Sequence, residues 1–167
     1  AISYTWNGST KSAIISGFDA NLITQGGDAT ATNAGTYTVT FDLVDDDNYT
    51  WTDDTTEQKS GTWEVTQATG SITATSDSVT LTTNALYADV TLTYNGDGTI
   101  TPSSSDTSIA TVALVSGSTY RITAQANGTA TVTFSASGTS NCTAATKTVS
   151  VTCNLVSTTL DNNDWDS

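Results

Sequence analysis

The sequence predicts an all-β protein built as two tandem β-sandwiches. Three observations carry that expectation. Short runs alternate apolar residues with Thr or Ser, and Gly, Asn or Asp breaks them at intervals of roughly eight to twelve residues. Nowhere do apolar residues recur at i, i+3, i+4 and i+7 for three turns, so no long helix is expected. In the run 36–43, Tyr37, Val39, Phe41 and Leu43 fall on one face while Thr36, Thr38, Thr40 and Asp42 fall on the other. That is the period of a strand buried on one side.

The first set of strand-like runs covers 2–6, 12–15, 20–24, 36–44, 49–51 and 61–66, separated by turn chemistry such as Asn7-Gly8, Gly17, Gly26-Gly27 and Asp45-Asp46-Asp47-Asn48. The short polar stretch Gln67-Ala68-Thr69-Gly70 follows, after which the same texture restarts. The second set covers 71–74, 78–82, 86–94, 108–114, 119–124, 129–136 and 146–153. Within it Leu86, Ala88, Val90, Leu92 and Tyr94 share one parity, as do Ala130, Val132, Phe134 and Ala136. The expected domains are 1–68 and 69–153, with 154–167 as a linker or the start of a further domain. Units of this size lie near the lower limit for a self-sufficient core. Trp6, Trp51 and Trp63 are therefore expected to pack inward, because aromatic rings fill a small sandwich with few residues.

Composition narrows the function classes. Lys and Arg total 4 against 17 Asp and Glu, a net charge of −13 spread along the chain. Such a surface repels a phosphate backbone, and no basic patch interleaved with aromatics opposes it, so nucleic acid is not an expected partner. No apolar run approaches the ~20 residues needed to cross a bilayer, so membrane insertion is not expected. The chain does not begin with Met, as a processed product or an excerpt would not. Solubility rests on hydroxyl and amide groups, the usual dress of extracellular β-proteins.

Histidine is absent. That removes Ser-His-Asp and Cys-His nucleophile arrangements, histidine bases and the common zinc sites. No Gly-rich loop opens a helix to cradle phosphate. No catalytic, cofactor or metal residue is assigned, and the chain is expected not to be an enzyme. Asp45, Asp46, Asp47, Asp53, Asp54 and Glu57 flank the 49–51 run and are the stronger carboxylate set for Ca²⁺, which takes roughly six to eight oxygens; Asp161, Asp164 and Asp166 fall in the expected linker and are weaker candidates. Their spacing matches no EF-hand loop, and solvated turns are the expectation. A glycosidase pair needs two carboxyl groups facing across ~5 to 9.5 Å of cleft, and no long loop is present to build one.

Cys142 and Cys153 are expected to be unpaired. An extended strand over 145–153 sets them as much as ~36 Å apart at ~3.3 Å per residue, whereas a disulfide needs Cα atoms within ~7 Å. Cys153 shares the parity of Val149 and Val151 and reads as a small core residue. Lys11, Lys59 and Lys147 are the lysines available to an internal isopeptide bond, and none is expected to form one. Lys147 shares the inward parity, with its amine expected to snorkel to water at the sheet edge.

Two resemblances refine the fold class to immunoglobulin-like sandwiches. The segment Asn33-Ala34-Gly35-Thr36-Tyr37 resembles the tyrosine corner that opens strand F of such domains, with Val39 where antibody domains carry a cysteine. Together with Tyr4-Thr5-Trp6-Asn7-Gly8-Ser9-Thr10-Lys11, Tyr49-Thr50-Trp51-Thr52-Asp53 and Thr62-Trp63-Glu64-Val65, it makes the first unit similar to bacterial Ig-like repeats of the Asn-Ala-Gly-x-Tyr type. Asp54 departs from the Gly usual there. The second unit resembles the group 2 bacterial Ig-like domains of invasin and intimin adhesins, through Ser103 to Val112 and through Asn127-Gly128-Thr129-Ala130-Thr131-Val132-Thr133-Phe134. Leu160 to Trp165 is similar to the start of a small domain that follows such repeats in phage proteins. The resemblance implies a non-catalytic structural or adhesive module of a phage virion, in its tail, fibre or capsid decoration. The virion surface, the cell surface or the extracellular space is the implied location. Other virion or surface proteins are the implied partners, with a host cell-surface glycan as a further contact. A bacterial adhesin or a carbohydrate-binding module is the alternative.

Overall fold

The computed structural model describes residues 2–13 and 17–156. They are all-β: fourteen strands and no helix among the described residues. The chain divides into two compact units, and the division is not one of contiguous segments. The first comprises 1–70 together with the loops 96–98 and 138–143; the second comprises 71–95, 99–137 and 144–167.

In the first unit, strands β1 (Ile2–Thr5), β3 (Ile23–Gly27), β5 (Gly35–Leu43) and β6 (Lys59–Thr66) form one sheet in the order β1-β6-β5-β3, while β2 (Lys11–Ser12) and β4 (Thr30–Ala31) make a two-stranded ribbon. β1 runs parallel to β6, and the other pairings are antiparallel. Their core gathers around Trp63, only 2% exposed, with Val65, Ala31 and the partly buried Ile2, Tyr4, Trp6, Ala13 and Tyr37. Tyr37 sits directly opposite Trp63 across the β5–β6 ladder, their ring centroids 5.1 Å apart, and Tyr4 meets the same indole edge-on at 6.2 Å. The indole nitrogen of Trp63 donates to the Asp28 carbonyl at 2.7 Å, so its polar end is satisfied inside the core.

The 49–51 run is not a strand, contrary to the expectation from alternation. Trp51 lies in the turn-rich segment between β5 and β6, its backbone N–H donating to Thr55 and its indole to the Glu57 carbonyl. A short alternation flanked by four consecutive turn formers folds locally more readily than it recruits a partner strand. The predicted 20–24 strand begins later, at Ile23, because Asp19 binds the backbone N–H groups of Leu22 and Ile23 through its carbonyl and that of Asn21 through its carboxylate. The predicted 12–15 run is described only at its start, since 14–16 lie outside the described residues.

In the second unit, β7 (Ile72–Ala74), β9 (Tyr87–Tyr94), β11 (Ala110–Ser116) and β12 (Thr119–Ala124) form a sheet in the order β11-β12-β9-β7. Strands β8 (Ser78–Thr82), β10 (Ile100–Ser104), β13 (Gly128–Ala136) and β14 (Ala145–Asn154) form another, ordered β10-β13-β14-β8, with β14 and β8 parallel. One core lies between these two sheets: Ile72, Val90, Leu92, Ala110, Tyr120 and Ile122 from the first meet Leu81, Val132, Phe134, Val149, Val151 and Cys153 from the second. The expected parities hold for Val90 and Leu92 and for Ala130, Val132, Phe134 and Ala136, all buried, whereas Leu86, which shares the parity of Val90, precedes β9 and is exposed. β10 has no counterpart among the expected runs, because Pro102 and its serines hide it from any propensity argument.

The motif Asn127-Gly128 has a physical basis here. Gly128 adopts φ 144°, and a Cβ there would lie 2.7 Å from the Cδ1 of Ile109. The amide of Asn127 donates to the Leu155 carbonyl at 2.8 Å and accepts the Leu155 N–H, pinning the chain beyond β14.

Candidate functional site

Of the carboxylates that flank the 49–51 run, Asp45 and Asp53 are each held in a separate local contact. Asp45 accepts the backbone N–H and side-chain amide of Asn48; Asp53 accepts the Lys59 amine at 2.7 Å and the Thr55 hydroxyl at 2.7 Å. Lys59 is the main reason the Asp53 carboxyl sits at about 2, well below the usual range. Asp54 occupies a left-handed turn at φ 61°, at the position where glycine is usual. Among the described residues no three His, Cys, Asp or Glu side chains gather in a way that would hold a metal.

Lys147 and Cys153 lie on the inward parity of β14 with Val149 and Val151. Lys147 is half-buried, and its amine reaches Asp77 at 2.5 Å beside β8. Lys11 reaches the Asn7 side chain at 2.6 Å. Cys142 and Cys153 are free thiols, both fully buried. The Cys153 thiol lies 3.6 Å from the Ile109 carbonyl, and burial pushes its titration up.

Two surface arrangements stand out in the second unit. The outward positions of β10, β13 and β8, and of β14 from Thr146 to Thr152, are all Ser or Thr, in cross-strand rows such as Ser103–Thr133–Thr148 and Thr131–Ser150–Ser78. The array spaces hydroxyls at ~4.8 Å across strands and ~6.7 Å along them. An open groove of about 480 Å³ runs over it, lined by residues that include Ser105, Thr131 and Ser150. On the other sheet Arg121 grips Asp89 with two N–H···O contacts of 2.8 and 2.9 Å and lies 3.8 Å above the ring of Tyr87, an outward position of β9 that is 53% exposed. Arg121 in turn holds the Asp89 carboxyl below its ordinary range. Beside Tyr87 an open groove of about 500 Å³ is lined by 83–87.

A third arrangement belongs to the first unit. Asn141, buried at 7% exposure, donates to Asp97 at 2.8 Å and to the Asn33 side chain at 3.3 Å while its carbonyl oxygen accepts the N–H of Ala34 at 2.8 Å. Its backbone carbonyl accepts from Ala68, and Asp97 also accepts the Thr139 hydroxyl at 2.6 Å. The Thr139 and Asn141 donors lower the Asp97 carboxyl. Neither this network nor the Tyr87–Arg121–Asp89 cluster was readable in the sequence; the only signal was the isolated position of Arg121, the one arginine of the chain.

No protein-family model matches the sequence. No curated protein matches it. Among solved structures the chain is similar to domains 4 and 5 of the S-layer protein SbsC, at 19% identity over 79% of this chain and 76% of that one, with a TM-score of 0.44. It is also similar to the fibronectin(III)-like modules of Clostridium thermocellum CbhA, at 12% identity over 92% and 90%, TM-score 0.33. PcdhgB3 EC1-4 matches at 12% identity over 93% of this chain and 48% of that one, TM-score 0.41.

Proposed function

We propose that this chain is a non-catalytic structural and adhesive module displayed on an exterior surface, and specifically on a phage virion as part of a tail, fibre or capsid decoration. The module boundary falls between 68 and 69, as the restart of strand texture indicates. The observation that carries the reading is the Ser- and Thr-lined outer face of the β10-β13-β14-β8 sheet, set over an inner face that contributes Leu81, Val132, Phe134, Val149, Val151 and Cys153 to the core. A sheet built this way is rigid and stays hydrated without charge, which suits a spacer held in water. The virion assignment rests on the sequence resemblance, part of which, 160–165, lies outside the described residues. The partners in this reading are neighbouring virion or surface proteins.

A carbohydrate-binding role is the second reading, favoured by one observation: exposed Tyr87 beside its groove, with Arg121 and Asp89 supplying donors and acceptors. A flat glycan platform uses two or three coplanar rings, and Tyr87 is the one exposed aromatic among the described residues of this unit. Immunogold labelling of intact virions and of producing cells tests the primary reading. Label on the particle exterior is the expected result; label confined to the cell wall overturns it and favours the bacterial adhesin. A glycan array probed with the parent and with Tyr87→Ala tests the second.

A further inference from the structure

Three Asn-Gly pairs stand in the sequence, at 7–8, 95–96 and 127–128. In an unfolded chain they are chemically alike, since glycine leaves its own backbone nitrogen unhindered. The fold separates them. Asn127 holds Leu155 through both its side-chain amide and its side-chain oxygen, and Gly128 is packed against Ile109. Asn95 is tied to Ser71 twice, its backbone N–H donating to the Ser71 carbonyl at 3.3 Å and its side-chain oxygen accepting the Ser71 N–H at 2.7 Å. Asn7 lies past the end of β1, where Asn7, Gly8 and Ser9 are all exposed. Gly8 adopts φ 79°, with nothing within 4 Å of where a Cβ would stand. Among the described residues neither the Gly8 N–H nor the Asn7 side-chain nitrogen makes a hydrogen bond. Only the Asn7 side-chain oxygen is engaged: Oδ1 accepts the Lys11 amine at 2.6 Å and the Ser9 N–H at 3.1 Å.

We infer that Asn7 is a site of spontaneous deamidation, promoted by Lys11 and the Ser9 N–H. The backbone nitrogen of Gly8 gives up its proton and bonds to Cγ of Asn7, closing a five-membered imide. The Cγ–Nδ2 bond breaks, and that nitrogen leaves as ammonia with the proton. Water then adds across one of the two imide C–N bonds. Opening the bond to Cγ leaves an aspartyl residue at position 7, and opening the bond to the main-chain carbonyl leaves an isoaspartyl one. Negative charge develops on Oδ1 as the nitrogen adds, and two donors already point at that atom, as in an oxyanion hole. The product gains one negative charge beside Lys11, so the amine that promotes the step then pairs with the new carboxylate. The inference rests on this turn alone and stands apart from the functional reading above.

Incubation of the full chain in neutral buffer, followed over weeks by peptide mapping with mass spectrometry, tests it. The expected result is an amide-to-acid mass gain that accumulates at position 7 at least about tenfold faster than at Asn95 or Asn127, where two hydrogen bonds must break first. In guanidinium the three rates converge. Lys11→Met slows conversion at position 7 by about threefold, the scale of an exposed charge contact, and Lys11→Arg, which keeps a charged donor, restores most of the rate. Neither variant changes the rate in guanidinium, and circular dichroism establishes that each is folded in buffer. Equal rates at the three pairs in the folded chain overturn the inference. So does a rate at position 7 indifferent to Lys11→Met, or a lasting loss of one ammonia with Lys11 joined to position 7, which would make the amine the nucleophile.

Discussion

The hydroxyl of Tyr37 donates to the carbonyl of Asn33 across 2.7 Å, closing the corner through which the chain enters β5. The same ring packs against Trp63, so one side chain ties a turn to the core of the first unit. Tyr37→Phe keeps the ring and removes the hydrogen bond. It is expected to cost about 0.5 to 1.5 kcal/mol, read as a lower urea midpoint with an unchanged slope.

Asn141 is a more demanding position, since four groups depend on it. Asn141→Ala leaves the Ala34 N–H without its acceptor and removes one of the two side-chain donors to Asp97, and is expected to destabilise the first unit by about 1 to 3 kcal/mol. Asn141→Asp sets a second carboxylate against Asp97, which raises the folded pKa of the new group. Its penalty therefore grows as pH rises above the usual carboxylate range and shrinks on acidification, as thermal melts at pH 7 and near pH 4.5 will reveal.

Gly128 is fixed by space as well as by φ. Gly128→Ala drives a methyl to within 2.7 Å of Ile109, in a conformation that side chains avoid. The expected loss is about 1 to 3 kcal/mol, and Ile109→Val in the same chain relieves part of it in a double-mutant cycle. Strict additivity would show that contact with Ile109 is not the cause.

The two thiols should be inert in the folded protein. Both are buried, and desolvation disfavours the Cys153 thiolate. Ellman's reagent is expected to titrate neither in buffer and both in guanidinium without reductant. A single reactive thiol in buffer contradicts their burial.

Acid stability follows from four carboxyls held below their ordinary values. Lys59 lowers Asp53 to about 2, Arg121 lowers Asp89, Thr139 and Asn141 lower Asp97, and Ser108 lowers Asp106. Because the folded pKa is the lower one, their contribution is complete above the unfolded value of 3.8 and is lost as pH falls toward 2. Relief of the −13 charge acts in the opposite sense down to the isoelectric region near 4.1. Without histidine the melting temperature should change little between roughly pH 5 and 8, then fall below the isoelectric region. A loss of stability beginning near neutrality contradicts this assignment.

Much of the fold was legible because a one-sided strand writes its period into the sequence: the 119–124, 129–136 and 146–153 runs match β12, β13 and β14 to within a residue or two at each end. What alternation cannot report is whether a partner exists. The 49–51 run alternates and stays in a turn, whereas β10 lacks the pattern and pairs with β13 across five residues. The surface clusters were illegible for a related reason. Arg121 and Asp89 meet through the β12–β9 register, 32 residues apart, and Asn141 meets Asn33 across 108.

The measurement that bears most directly on the exterior-display account is cryo-electron microscopy of the particle that carries this chain. The account predicts ordered copies at repeated positions on the outside of a capsid or tail, each resolved as all-β density. Particles without such density, with the chain found instead tethered to the cell wall, would contradict it.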